Sequence, residues 1–260
     1  LENIKTNIAL KSLISDEFSI EKLEISTKSI EISNLISFTR LISEIPELIF
    51  FEKLFKVKGY IIANIKVEFD KNGSLKNNYV FAGSIKDTKA NFSKNFYLSK
   101  LNLNFDIREN IINLKDLKAK LNDLNFESKS ILAKKIEKEY LVKGSIENDT
   151  IEFKDKDLIF LKEKFLKDIN IKKIKFNSKN EFSFKINNKL KLKETEISSK
   201  INLKEVQILK SMNLKNIFPE LKDDISFLNH EIDLKYKKNF LSINGNGKII
   251  IQKFEDLISY

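Results

Sequence analysis

Apolar and polar residues alternate with a period of two along much of this 260-residue chain. Ile61, Ala63, Ile65, Val67 and Phe69 are separated by polar Asn64, Lys66 and Glu68. Leu101, Leu103, Phe105 and Ile107 alternate with Asn102, Asn104, Asp106 and Arg108. The same rhythm recurs at Phe182, Phe184 and Ile186, and at Ile232, Leu234 and Tyr236. Successive side chains of a strand point to opposite faces, so each run has one apolar and one wet face. Alternation of this kind belongs to antiparallel sheets. Buried parallel strands read instead as unbroken apolar runs. The fold class expected is therefore all-β, a long antiparallel and twisted sheet with one or two short helices.

Turn chemistry separates the runs. Asp70-Lys71-Asn72-Gly73-Ser74 carries an Asn-Gly hairpin signal, and Asn187-Asn188 and Lys238-Asn239 mark further turns. Pro46 and Pro219 are the only prolines, which suits long uninterrupted strands. A short helical insert is expected over about 33–55. Ser33 or Asn34 would cap it, Leu35, Phe38, Ile42 and Ile45 would form its stripe, and Leu48, Phe51 and Phe55 would follow Pro46. Shorter helical stretches are expected near Leu158–Leu166 and Ile208–Phe218. Tyr79-Val80-Phe81-Ala82-Gly83-Ser84-Ile85 is echoed by Tyr140-Leu141-Val142-Lys143-Gly144-Ser145-Ile146, and more loosely by Phe240 to Gly247. That echo suggests a repeated structural unit.

Motifs for chemistry are missing. The single histidine, His230, is expected at a surface or strand-end position before the strand Glu231–Tyr236, and one histidine makes no zinc cluster. Gly245-Asn246-Gly247 lacks the third glycine of a dinucleotide loop and reads as a bulge or bend. Asp70-Lys71-Asn72-Gly73 lacks the later ligands of a calcium loop. The carboxylate pairs Asp155/Asp157, Glu194/Glu196 and Asp223/Asp224 lie among lysines in polar runs and read as solvated surface. With no cysteine there is no disulfide and no thiolate metal site. The chain is expected not to be an enzyme and to need no cofactor.

The net charge of +10 raises the question of a polyanion partner. Only Arg40 and Arg108 are arginines, and the chain is crowded with Ile, Asn, Lys and Phe, the residues of AT-rich codons. The aromatics Phe69, Phe81, Phe105, Phe182 and Phe184 fall on the apolar parity and not among the lysines. No nucleic-acid partner is expected.

A sheet with one apolar face must hide it: against a second sheet, by closing into a barrel, under helices, or with an apolar ligand. Alternation alone does not choose among these. Four segments bear on the choice: IEKLEISTKSIEIS at 20–33 with the amphipathic stretch to Pro46, FKVKGYIIANIKVEFD at 55–70, NGSLKNNYVFAGSIKDTKA at 72–90 and YLVKGSIEN at 140–148. They resemble the middle of AsmA-like proteins of the TamB and YhdP type. The resemblance is close over about 20–153 and looser beyond, and it is a pattern of strands and glycines without a catalytic motif.

The resemblance implies a sheet curled into an open apolar groove that conducts phospholipid across the periplasm between inner and outer membranes. The parent protein would be anchored in the inner membrane by a segment outside this chain. Leu1 and the strand-like run ending at Tyr260 fit a piece, 1–260, of such a longer protein. The partners implied are phospholipid acyl chains. The groove-lining candidates are Ile65, Val67, Phe69, Phe81, Leu101, Leu103, Phe105, Ile107, Phe182 and Phe184. The alternative is a self-packed β-sandwich or solenoid serving as a structural or interaction module of an envelope protein.

Overall fold

A computed structural model describes residues 2–8, 20–35, 37, 58–70, 72–93, 96–121, 124–154, 170–187, 189, 191–209, 225–251 and 253–260. These form fourteen strands: β1 (Asn3–Ile8), β2 (Ile20–Ser26), β3 (Ile30–Glu31), β4 (Lys58–Glu68), β5 (Val80–Ser93), β6 (Phe96–Arg108), β7 (Ile111–Leu121), β8 (Leu124–Ile136), β9 (Glu139–Lys154), β10 (Asn170–Asn187), β11 (Leu192–Leu209), β12 (Ile225–Lys237), β13 (Phe240–Ile251) and β14 (Phe254–Ser259). They make one antiparallel sheet that is not closed into a barrel. Hydrogen-bonded order follows chain order from β1 to β14, except that β3 leaves the path and pairs with β4. Two compact units divide the chain, Leu1–Gly144 with Lys185–Lys193, and Ser145–Phe184 with Glu194–Tyr260.

The all-β expectation is borne out, and strand length follows from the scarcity of proline. β10 and β11 each run 18 residues, about 60 Å at ~3.3 Å per residue. Turn chemistry closes the hairpins as expected. The Asp70 Oδ1 accepts from the Asn72 and Ser74 amides at 2.9 and 2.8 Å, and Gly73 takes φ +77°. The Asn187 Oδ1 likewise accepts from the Lys189 and Lys191 amides. Lys238 and Asn239 both have positive φ, as a two-residue turn between Lys237 and Phe240 requires. Asp70→Ala removes two accepted bonds from an exposed turn. It is expected to cost about 1 kcal/mol, read as a lowered denaturant midpoint at unchanged slope.

The helical expectations fare differently. The described residues carry one short helical stretch, 32–35 with Ser37, in which the Ser37 hydroxyl bonds back to the Ser33 carbonyl. It starts at Ile32, so Ser33 and Asn34 lie inside it and do not cap it. Residues 38–55 lie outside the described residues, as does Leu158–Leu166. The stretch expected from Ile208 begins in strand, because β11 continues to Leu209; the remainder to Phe218 is outside the described residues.

Strict alternation breaks at three places on adjacent strands. Asp87, Lys100 and Asp116 have φ of +48°, +50° and +52°. Buried positions change parity across each one: Ile85 to Thr88 on β5, Leu98 to Leu101 on β6, Leu114 to Leu117 on β7. These are β-bulges, and the pairing register slips there. Two asparagines of β6 hold all three. Asn102 accepts from the Asp87 amide at 3.2 Å and donates to the Lys100 carbonyl at 2.9 Å, while Asn104 donates to the Asp116 carboxylate at 3.0 Å.

Candidate functional site: the apolar rows

In antiparallel pairs, registered residues share a face. In the first unit this joins the apolar residues into rows. One runs Ile25, Ile65, Phe81, Ile107, Ile112 and Ala133 across six strands. A second runs Ile30, Ile61, Ile85 and Leu103. Of the expected lining residues, Ile65, Val67, Phe81, Leu101, Leu103, Phe105 and Ile107 are brought together on this face, each 0–5% exposed. Phe69 is not with them. β4 ends at Glu68, and Phe69 forms an isolated bridge with Leu75 at the hairpin, half-buried.

Glycine shapes this face at one point. Gly83 registers with Phe105, whose ring lies over it. A Cβ on Gly83 would stand 2.9 Å from Phe105 Cζ and 2.1 Å from the Ile62 carbonyl oxygen. The missing side chain makes room for the ring. Tyr79 and Tyr140 of the echoed segments are both buried, but Phe240, in the looser third copy, is exposed.

In the second unit Val206 and Ile225 are buried at one arm of β11 and β12, but the rows at the other arm keep the alternation without the burial. Ile201, Ile232 and Gly245 form one row, Ser199, Leu234 and Ile243 the next, and Ile197, Tyr236 and Leu241 a third. Ile243 and Leu241 are 45% and 52% exposed, and Ile232, Leu234 and Tyr236 are half-buried. Phe182 and Phe184 are half-buried on β10, their rings stacked with centroids 5.7 Å apart. This is an apolar face three strands wide with side chains open to solvent.

His230 corrects the sequence reading. It lies inside β12 at 1% exposure, not on the surface or at a strand end. Asn229, with φ +49°, is an extra residue that shifts the β12–β13 register between Leu228 and Glu231. The imidazole sits where Gly247 has no side chain; a Cβ there would meet its ring at 2.4 Å. Its Nε2 is 3.0 Å from the Lys248 carbonyl and its Nδ1 3.3 Å from the Tyr260 hydroxyl. A carbonyl only accepts, so Nε2 carries a proton and donates it to Lys248, while the Tyr260 hydroxyl is the partner of Nδ1. The Tyr260 ring in turn covers Gly245, and burial pushes its phenol pKa up. The bend read into Gly245-Asn246-Gly247 is thus a bulge whose extra residue lies on the partner strand, with both glycines making room for rings.

Charged groups on the described strands pair across the surface. Lys173 bonds Glu205 at 2.7 Å and lies 3.7 Å from Glu152. That hydrogen bond holds the Glu205 carboxyl below its ordinary range and raises Lys173. Glu196 pairs with Lys237 at 2.9 Å. Among the described residues no three His, Asp or Glu side chains cluster as a metal site, and no described helix is long and apolar enough to cross a membrane. What the described residues offer chemically is apolar surface in rows. No family model, curated protein or solved structure matches the chain.

Proposed function

We propose that the chain is a lipid-holding β-sheet of a cell-envelope protein, of the AsmA-like kind its segments resemble, which takes phospholipid acyl chains on its apolar rows. On this proposal the sheet curls into a groove, and the groove conducts phospholipid between inner and outer membranes from a periplasmic position, anchored by a segment outside the chain. The observation that carries it is the open apolar face of the second unit, where Ile197, Leu234, Tyr236, Leu241 and Ile243 line adjacent rows. Each methylene moved from water onto such a face contributes ~0.8 kcal/mol. An acyl chain therefore binds without any dedicated polar ligand set, and its headgroup stays in water.

A photo-crosslinking residue at Ile243 is expected to capture phospholipid from cells expressing the protein. One at Ile107, fully buried, is expected to capture none. Absence of lipid adducts at Ile243 in a folded protein would overturn the proposal. The result would then favour the second reading, a self-packed structural or interaction module. That reading draws its support from the first unit, where most of the described apolar row residues are buried.

A further inference from the structure

We infer that Asn72 is a site of covalent self-modification, where the Gly73 nitrogen displaces the Asn72 side-chain amide, and that the Asp70 carboxylate restrains the reaction. An Asn-Gly pair is open to this chemistry because glycine puts no side chain beside the attacking nitrogen. The chain has three such pairs, Asn72-Gly73, Asn244-Gly245 and Asn246-Gly247. The fold treats them differently.

In the reaction the Gly73 amide gives its proton to a base in solvent, and its nitrogen attacks Asn72 Cγ. The N–Cγ bond forms, the Cγ–Nδ2 bond breaks, and the side-chain nitrogen leaves as ammonia with a proton taken from water. The cyclic imide then takes up water. Opening at Cγ gives aspartate. Opening at the backbone carbonyl carbon gives isoaspartate, whose main chain is one methylene longer. Either product carries a new carboxylate. Closing the ring requires rotation about the Asn72 Cα–C bond, which swings the Gly73 nitrogen towards the side chain.

Asn72 and Gly73 are exposed in the turn between β4 and β5. The Gly73 amide donates to the Asp70 carbonyl at 3.1 Å. Among the described residues a Cβ built on Gly73 would meet nothing within 4 Å, so there is room for the backbone to turn. What opposes rotation is Asp70. Its Oδ1 accepts from the Asn72 amide at 2.9 Å and from the Ser74 amide at 2.8 Å. Those two nitrogens lie on either side of the bond that must turn. The other two pairs sit in β13, which is hydrogen-bonded to β12 on one side and β14 on the other. Gly245 exchanges both amide–carbonyl bonds with Tyr260, at 2.8 and 2.9 Å, and the registered pair Gly247 and Ile258 repeats that arrangement two residues on. Rotation there breaks a ladder inside the sheet, which opens far less often than an exposed turn.

A time course of the full chain at mildly alkaline pH, read by peptide mass mapping and by an isoaspartate-specific methyltransferase label, tests this. In the folded protein Asn72 is expected to lose its amide roughly tenfold faster than Asn244 and Asn246, or more, with the isoaspartate label on the Asn72 peptide. In concentrated urea all three pairs share an unfolded environment, and their rates are expected to come together. Asp70→Ala leaves the three pairs in place. It is expected to speed conversion of Asn72 in the folded chain roughly two- to fivefold and to change nothing in urea, with the fold checked by circular dichroism. Equal rates for the three pairs in the folded chain, or an Asn72 that converts in urea but not when folded, would overturn the site. A rate in folded Asp70→Ala no higher than the parent's would overturn the restraint.

Discussion

Phe105→Ala is expected to destabilise the first unit by about 3–5 kcal/mol, the range for truncating a buried aromatic. The site cannot collapse around the loss. The registered neighbour on β5 is Gly83, which has no side chain to move into the space, and the registered neighbour on β7, Leu114, is already buried. Urea titration reads the effect as a lower midpoint at unchanged slope, and Phe105→Leu, which keeps most of the volume, is expected to lose less. A loss within about 1 kcal/mol for the alanine variant would show that the ring is not held between its neighbours as described. The position also instructs the lipid experiment. A charge at Phe105 enters a site 5% exposed, so Phe105→Asp is expected to unfold the unit before any effect on lipid can be read. Charges that probe lipid loading belong at Leu241 or Ile243, where water already reaches the side chain.

The converse substitution at the same contact has the second large effect. Gly83→Ala is expected to cost about 1–3 kcal/mol, as overpacking does. Its methyl would meet the Ile62 carbonyl oxygen at 2.1 Å and Phe105 Cζ at 2.9 Å. The ring can turn aside, but the carbonyl belongs to the β4 backbone and retreats only if the ladder shifts. The double variant Gly83→Ala/Phe105→Ala separates the two obstacles. If the ring carries most of the cost, the double variant is more stable than the sum of its parts predicts. If the carbonyl carries it, the two losses add. A Gly83→Ala protein as stable as the parent would refute the close approach itself.

Much of this architecture is legible in the chain. The period of two names the strands and their dry faces because a strand's geometry leaves side chains no other arrangement. Lys238-Asn239 and Asp70–Ser74 are readable because turns with positive φ or a side-chain acceptor draw on few residue types. Other features are hidden. Glu109-Asn110 and Glu137-Lys138 close hairpins without a glycine, held by the strand pairing on either side. Lys100 is held by Asn102 two residues along its own strand, but Asp87 and Asp116 take positive φ with no local signal, since the bond that holds each comes from β6. His230 is misread for the same reason. The bulge at Asn229 throws Ile225 and Phe227 out of phase with Ile232 and Leu234, so plain alternation starts the strand at Glu231 and not at Ile225. Burial is the least legible property. The same alternation gives closed rows in the first unit and open rows in the second, because exposure depends on what lies over a face and not on the strand's own pattern.

The three bulges on β5, β6 and β7 bear on how such a chain tolerates change in length. One residue removed at Asp87 would leave Thr88 two places from Ile85, still opposite Leu101 and on the buried face. One residue removed elsewhere in β5 would reverse an arm of the strand, turning apolar groups out and lysines in, unless the bulge opened to absorb the loss. The bulges are therefore the places where these strands can lose a residue and keep their dry face. Asn102 and Asn104, which touch all three, mark the points at which that slack is held.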